Sequence, residues 1–599
     1  MITRKPWADM ATDLVDVSMG RKPATMLVQN GRWVNVYSGE ILPCTDVAIW
    51  NSRIAMVKTD AGYTAGPATV VLDADGRYLL PGLCDGHMHV ESSMLSVTEF
   101  ARAVMVHGTT SIFIDPHEIA NVLGLHGVRL MYDEAEGLPI NVYIQVPGCV
   151  PSAPGLETPG AELGPDEVAE ALKWQRVVGL GEVMNFPGVA NNDSKMSAEI
   201  TAAMRANKTI GGHYATRDLG RGFHGYVAGG PQDDHEGTRL EDAVERVRRG
   251  MRPMLRYGSG WRDVASQVKA VTELGLDPRQ FILCTDDCHS ETLINEGHMN
   301  RVVRHAISEG LEPLRAIQMA TLNTAQHFGL DRDVGSIAPG RYADMIITSD
   351  LKELPVEQVI TAGVAVAEAG KATIDIPTYS YPGDAKQTVQ LSREVTEDDF
   401  TVQAPNGNAT ATVRVIGVIE HQAPTRALQF ELPIVNGVVQ MHPERDICQA
   451  ALVERHHGSG RVTNGWVNGF GFDQPCAVAT TVAHDCHHLI VCGTRRREMT
   501  MAVNRLKEVG GGVVVFQDGK ETSLVPLPIA GIMSENGAEV VAGQVRQMNR
   551  AMTACGCKIE NAFMQLSLLG LVVIPELRLS DLGLVDAVNF RLVSPFVDP

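Results

Sequence analysis

The stretch Pro81–Glu91, PGLCDGHMHVE, decides the fold. An apolar run and a Pro-Gly step lead into His87 and His89, two residues apart. Residues two apart on a strand point to the same face. At the C-terminal end of a barrel strand that face opens onto the mouth where active sites are built, and two imidazoles there can hold one divalent ion. An isolated pair of this kind reads more readily as hydrogen-bonded strand histidines. The weight comes from what recurs downstream.

From residue 81 to 335, apolar runs ending in polar residues alternate with helical patterns. The candidate strands are LLPGLCDGHMHV, TTSIFIDPHE, INVYIQVPG, VVGLGEV, KTIGGHYA, a region near His235, RPMLRYGS and FILCTDD. Segments such as GPDEVAEALKWQ and RLEDAVERVRRG lie between them and have helical character. Eight strands alternating with helices are the pattern of an α/β fold of the (β/α)8 TIM-barrel type. Glu182 closes VVGLGEV, His213 closes KTIGGHYA, His235 sits in DDHE and Asp286 ends FILCTDD. Five of the eight strands would bring a ligand type to one rim, which scattered surface residues would not do.

The flanks read differently. Residues 1–80 hold an N-terminal segment and short strands with Gly- and Asn-centred turns, and 336–385 return to that character. The barrel, 81–335, is therefore expected as an insertion in a small β-sandwich domain. A linker over 377–389 leads to a C-terminal α+β domain, 390–599, with strands such as GGGVVVF and helices such as AEVVAGQVRQMNRAMTAC.

The formal net charge is −20, with 71 acids against 51 bases. That balance argues against nucleic acid and anionic membranes as partners. The N-terminus has no apolar signal-like core. Phe563–Ile574 is too short to span a bilayer and contains Gln565 and Ser567. Eleven cysteines spread thinly suggest free thiols and a cytoplasmic location.

PGLCDGHMHVESS, with His, His and Asp at later strand ends, resembles the amidohydrolase superfamily. HMHVESS, IDPHEIANV, LGEVMNFPGV, DDHE, CTDDCH and VAHDCHH, in that order, resemble the adenine deaminases within it. The resemblance implies two divalent metal ions, Mn or Fe(II) with Zn as an alternative. His87, His89 and Asp286 would bind one ion, His213 and His235 the other, and Glu182 would bridge. Hydantoinase-like relatives carry a carboxylated lysine at the bridge, whereas VVGLGEVMNF offers Glu182 and no lysine. A carboxylate bridge suits oxygen-preferring divalent ions.

The same resemblance implies a purine substrate and hydrolysis of adenine to hypoxanthine and ammonia. A water polarised by two cations loses a proton near neutral pH and can attack C6. Asp286 is then the expected general base. Ring N1 needs an acid, and IDPHE offers Asp115, His117 and Glu118. Glu118 is the expected N1 shuttle, with His117 next. These acids also read as first-turn residues of the following helix. Asp115, Ser92, His484 and Asp485 are expected against the substrate. The dense group His484, Asp485, His487 and His488 also reads as a further metal site or as a polar turn. A cyclic-amide hydrolase, a deaminase of another aminopurine and a non-catalytic metal-binding relative are the alternatives. The family implies a homodimer or larger assembly.

Overall fold

Continuous apolar runs make the centre of the chain a parallel sheet, because such strands are stable only when both faces are covered. The computed structural model describes residues 2–405, 408–420, 422–560 and 562–597. Strands β1 (Leu83–His89), β2 (Thr109–Ile114), β3 (Asn141–Val146), β4 (Val177–Val183) and β5 (Thr209–Gly212) pair side by side in that order. Every residue of β1 to β4 is buried. Strands β6 (Asp233–Asp234), β7 (Arg252–Arg256) and β8 (Ile282–Cys284) form a second parallel sheet.

The two sheets meet at both edges. Asp286 and Asp287, just past β8, pair in parallel with Met88 and His89 of β1. At the other edge Gln232 N donates to Ile210 O at 2.8 Å. The parallel sheet is therefore curled. Phe113, Tyr143, Val178, Met254, Ile282 and Phe328 pack together between its strands, with Phe113 stacked on Phe328 at 4.1 Å.

Strands from residues 26–81 and 345–372 share one nine-stranded sheet. Met345–Thr348 pairs antiparallel with Tyr78–Pro81, Ile346 lying opposite Leu80. The chain thus leaves this sheet just before β1 and returns to the same strand after the α/β segment. Beyond it, nine mostly antiparallel strands between Thr410 and Pro526 form the C-terminal sheet. Gly512–Gln517 is one of those strands, and Ala538–Ala554 is the helix its apolar spacing suggested. Among the described residues no helix is long and apolar enough to cross a membrane.

Candidate active site

The curled sheet brings the strand-end residues together. His87 and His89 leave β1 on one face, Glu182 comes from β4, His213 and His235 follow β5 and β6, and Asp286 follows β8. Glu182 Oε1 lies 3.1 Å from His87 Nε2 and 2.9 Å from His89 Nε2. Its other oxygen lies 2.7 Å from His213 Nδ1 and 3.8 Å from His235 Nε2. Asp286 Oδ1 is 3.3 Å from His89 Nε2. One carboxylate therefore faces two histidine pairs, one with each oxygen.

These side chains include groups that could hold a metal ion, and several of their atoms are not satisfied by one another. His87 Nε2, Glu182 Oε1 and His213 Nδ1 are buried and have no hydrogen-bond partner. Donor atoms spaced by roughly 3 Å are what metal–ligand bonds near 2.1 Å require. Subsets of the six fall into groups able to hold an ion.

Other residues fix this set. Asp115, expected against the substrate, stands behind the ligands instead. It is fully buried, its Oδ2 accepts from Glu182 N at 2.7 Å, and its backbone oxygen lies 2.9 Å from His89 Nδ1. Its distance from the cavity follows from β2 and β4 lying on either side of β3, with the Asp115 carboxylate against the Gly181 backbone. A Cβ on Gly181 would lie 2.1 Å from Asp115 Oδ2, so glycine is required there. Ser92, also expected against the substrate, does not line the cavity; its hydroxyl donates to Asp287, which does. Asp85 accepts from Thr285 N at 3.0 Å and so secures the segment entering Asp286. Asp286 itself has φ of 60°, an uncommon left-handed conformation that redirects the chain at the ligand.

One charged neighbour, Arg256, was not anticipated from the sequence. Arg256 at the end of β7 donates to Asp286 Oδ2 at 2.9 Å and also pairs with Glu236 and Asp263. Burial works against the Asp286 charge, but His89 and Arg256 outweigh it and hold this carboxyl well below the usual carboxylate range. RPMLR reads as an ordinary strand, and its terminal arginine was the available signal.

Glu118 begins the helix His117–Glu134. Its Oε1 lies 2.6 Å from His484 Nδ1, and its Oε2 contacts His487 Nε2. The two histidines come from the connection between strands Cys476–Thr480 and Leu489–Gly493 of the C-terminal sheet. Burial opposes the Glu118 charge, yet His484, His487 and His117 hold the carboxyl far below its ordinary value. Burial also opposes the His484 charge, but Glu118 pushes its pKa up to about 9. Burial brings His487 down to about 4 despite the same carboxylate. Glu118, His484 and His487 are close enough to share a cation. Unlike the six residues above, they satisfy one another and leave no orphaned side-chain atom among them. His117 Nε2 lies 3.6 Å from Glu118 Oε1 and 4.0 Å from Asp485 Oδ1. His488 turns away, its Nε2 meeting Thr158 O at 2.8 Å.

A cavity of about 470 Å³ is lined by His89, His213, His235 and Asp286 from the ligand set, and by His117, Glu118, His484 and Asp485. Pro424, Leu571 and Ile574 of the C-terminal domain complete the apolar part of its wall. Sequence reading gave no sign of this second contribution, because those loops carry no reactive side chain.

Comparison with known proteins places this geometry in a family. Residues 78–366 match the profile of the amidohydrolase family, and residues 422–591 that of the adenine deaminase C-terminal domain. The chain is 62% identical over 593 residues to an adenine deaminase of Mesorhizobium japonicum, covering 99% of this chain and 98% of the relative. It is 63% identical to adenine deaminase 3 of Rhizobium meliloti, covering 98% of each. An adenine deaminase of Moorella thermoacetica is 47% identical, with 99% of each chain covered.

Proposed function

Because the chain belongs to the adenine deaminase family of amidohydrolases, we propose that its six converging side chains hold two divalent cations and that Glu118 with His484 moves the proton of the purine ring. The reaction is hydrolytic deamination of adenine, giving hypoxanthine and ammonia. The single observation that carries the metal assignment is Glu182, whose two oxygens each face a separate pair of histidines. His87, His89 and Asp286 would hold one ion and His213 and His235 the other. The carboxylate and imidazole donors favour Mn or Fe(II).

When bound, the two cations supply Lewis acidity that makes water a nucleophile near neutral pH. The remaining steps belong to the chain. Asp286, kept ionised by His89 and Arg256, accepts a proton from the attacking water and can pass it to the departing amine. Adding water to C6 places charge on the ring, and protonation at N1 removes it. His484 carries a proton at neutral pH through its contact with Glu118. The Glu118–His484 pair is therefore the acid, with the carboxylate relaying the proton. His117 and Asp485 stand close enough to orient this pair. The apolar wall from the C-terminal domain excludes water from the purine face.

The architecture enters the same reading. The two curled sheets, joined by Asp286–Met88 pairing and the Gln232–Ile210 hydrogen bond, are one (β/α)8 barrel over about residues 81–335. It interrupts the N-terminal sheet, whose strands resume at Met345, and residues 390–599 form the third domain.

Ammonia release from adenine and adenosine, and ring opening of hydantoin to its N-carbamoyl amino acid, measured side by side in Mn²⁺-loaded protein, test the assignment. Release from adenine is expected. Ring opening of hydantoin without ammonia release from adenine would favour a cyclic-amide hydrolase, and no release from adenine by fully metallated protein would overturn the reading.

A further inference from the structure

Besides His484 and Asp485, two separate segments of the C-terminal domain wall the cavity. Gln422 and Pro424 come from one, Leu571, Val573 and Ile574 from the other. Neither lies in a strand. Irregular backbone at a cavity wall has no ladder to satisfy its carbonyls and needs partners from elsewhere.

Arg578 supplies them. Its side chain is among the largest that are fully buried, with a relative exposure of 1%. Nε donates to Ile574 O at 2.8 Å and Nη1 to Leu568 O at 2.6 Å. Nη2 donates to Ala423 O and, at 3.3 Å, to Pro575 O. One guanidinium thus bonds four carbonyls, three in one wall segment and one in the other. Thr425 reinforces the junction: its N–H donates to Pro575 O and its hydroxyl to Leu577 O, both at 2.9 Å. Among the described residues no carboxylate pairs with Arg578. Burial accordingly pulls its pKa down to about 9. A buried cation paired only with carbonyl dipoles is a costly way to fasten a surface loop. The planar fork of donors spans four acceptors at once, which a lysine ammonium cannot do.

We propose that Arg578 is a positioning residue for adenine: its guanidinium locks segments 422–425 and 568–575 into one rigid roof over the purine and thereby sets KM. It touches none of the six ligand residues and none of the Glu118–His484–His487 group. Its loss therefore loosens the substrate wall and leaves the ions and the proton path in place. The inference rests on the adenine-hydrolase reading, which ammonia release by the unaltered chain tests on its own.

The test uses the full-length Mn²⁺-loaded chain with Arg578→Met, Arg578→Lys and Arg578→Ala. Losing uniform substrate binding raises KM at constant kcat, so KM for adenine should rise by about tenfold or more with kcat within about twofold. Two ions per chain should remain, lysine should restore little, and guanidinium ion added to Arg578→Ala should bring KM back down. An unchanged KM in folded Arg578→Met overturns the proposal. So does a fall in kcat and metal content at constant KM, the signature of a merely structural role. Should the variants not fold, hydrogen exchange in the unaltered chain decides. The amides of Thr425 and Leu577 should exchange slowly and together without purine. Independent, fast exchange of Thr425 would refute a locked roof.

Discussion

Replacing Gly181 by alanine should dismantle the bridge between the two cation sites without touching a ligand side chain. The new Cβ would stand 2.1 Å from Asp115 Oδ2, 2.7 Å from its Cγ and 3.0 Å from Oδ1. Ordinary contact begins near 3.4 Å, so one side must give by 3.4 − 2.1 = 1.3 Å. Both are held: Asp115 is fully buried, and its Oδ2 accepts the Glu182 amide at 2.7 Å. Overpacking of this kind costs about 1–3 kcal/mol. Orphaning the Glu182 amide adds about 1–3 kcal/mol. A displacement near 1 Å at the bridging carboxylate corresponds to about a hundredfold loss in rate. Gly181→Ala should therefore lower Tm, bind fewer than two ions per chain and lose about two orders of magnitude in kcat/KM for adenine. The assays are thermal unfolding, metal analysis of the dialysed protein and ammonia release. Adding Asp115→Ala relieves the clash but still leaves the amide orphaned, so Tm should recover in part and activity should not. A Gly181→Ala chain with two ions and unaltered kcat/KM would refute the claim that Asp115 and the Gly181 backbone set the bridge.

Two further outcomes follow from the buried acids. Glu118→Gln keeps the shape of the group but removes the charge that protonates His484, so kcat should fall by about 10²–10⁴ with two ions retained; loss of metal instead would make Glu118 a ligand. Glu199 is almost fully buried, neither carboxylate oxygen has a hydrogen-bond partner, and burial pushes its pKa up to about 8. A raised acid stabilises the fold below its unfolded pKa, and that contribution disappears as pH climbs through the folded value. Glu199→Gln should thus raise Tm at about pH 8 and change it little at about pH 4; equal effects at both would contradict the assignment.

The proposed ligands were legible because of where they fall. His87, His89, Glu182, His213 and Asp286 follow largely apolar runs, His235 sits in DDHE, and a parallel sheet delivers strand ends to one rim. Glu118 and His484 were legible as residue types, but their contact spans two domains and depends on how the C-terminal sheet packs. Asp115 was placed on the wrong side of the ligands. Its carboxylate reaches across β3 to the Glu182 amide beside Gly181, a contact that no local pattern encodes. Arg256 and Arg578 were not singled out for a related reason: Arg256 meets carboxylates brought together only by the fold, and Arg578 meets backbone carbonyls, which carry no residue-type signal. The two stretches that share one sheet, residues 26–81 and 345–372, have the same strand-and-turn character in sequence, and Met345–Thr348 pairs with Tyr78–Pro81.

Titrating the metal-free chain with Mn²⁺ while following ammonia release from adenine tests the central claim most directly. Glu182 serving both histidine pairs requires activity to rise until two equivalents are bound and then level off. Glu182→Gln should bind the ions weakly and show no such break. Full activity at a single equivalent, or unaltered activity in Glu182→Gln, would contradict a carboxylate-bridged pair of cations as the engine of this deaminase.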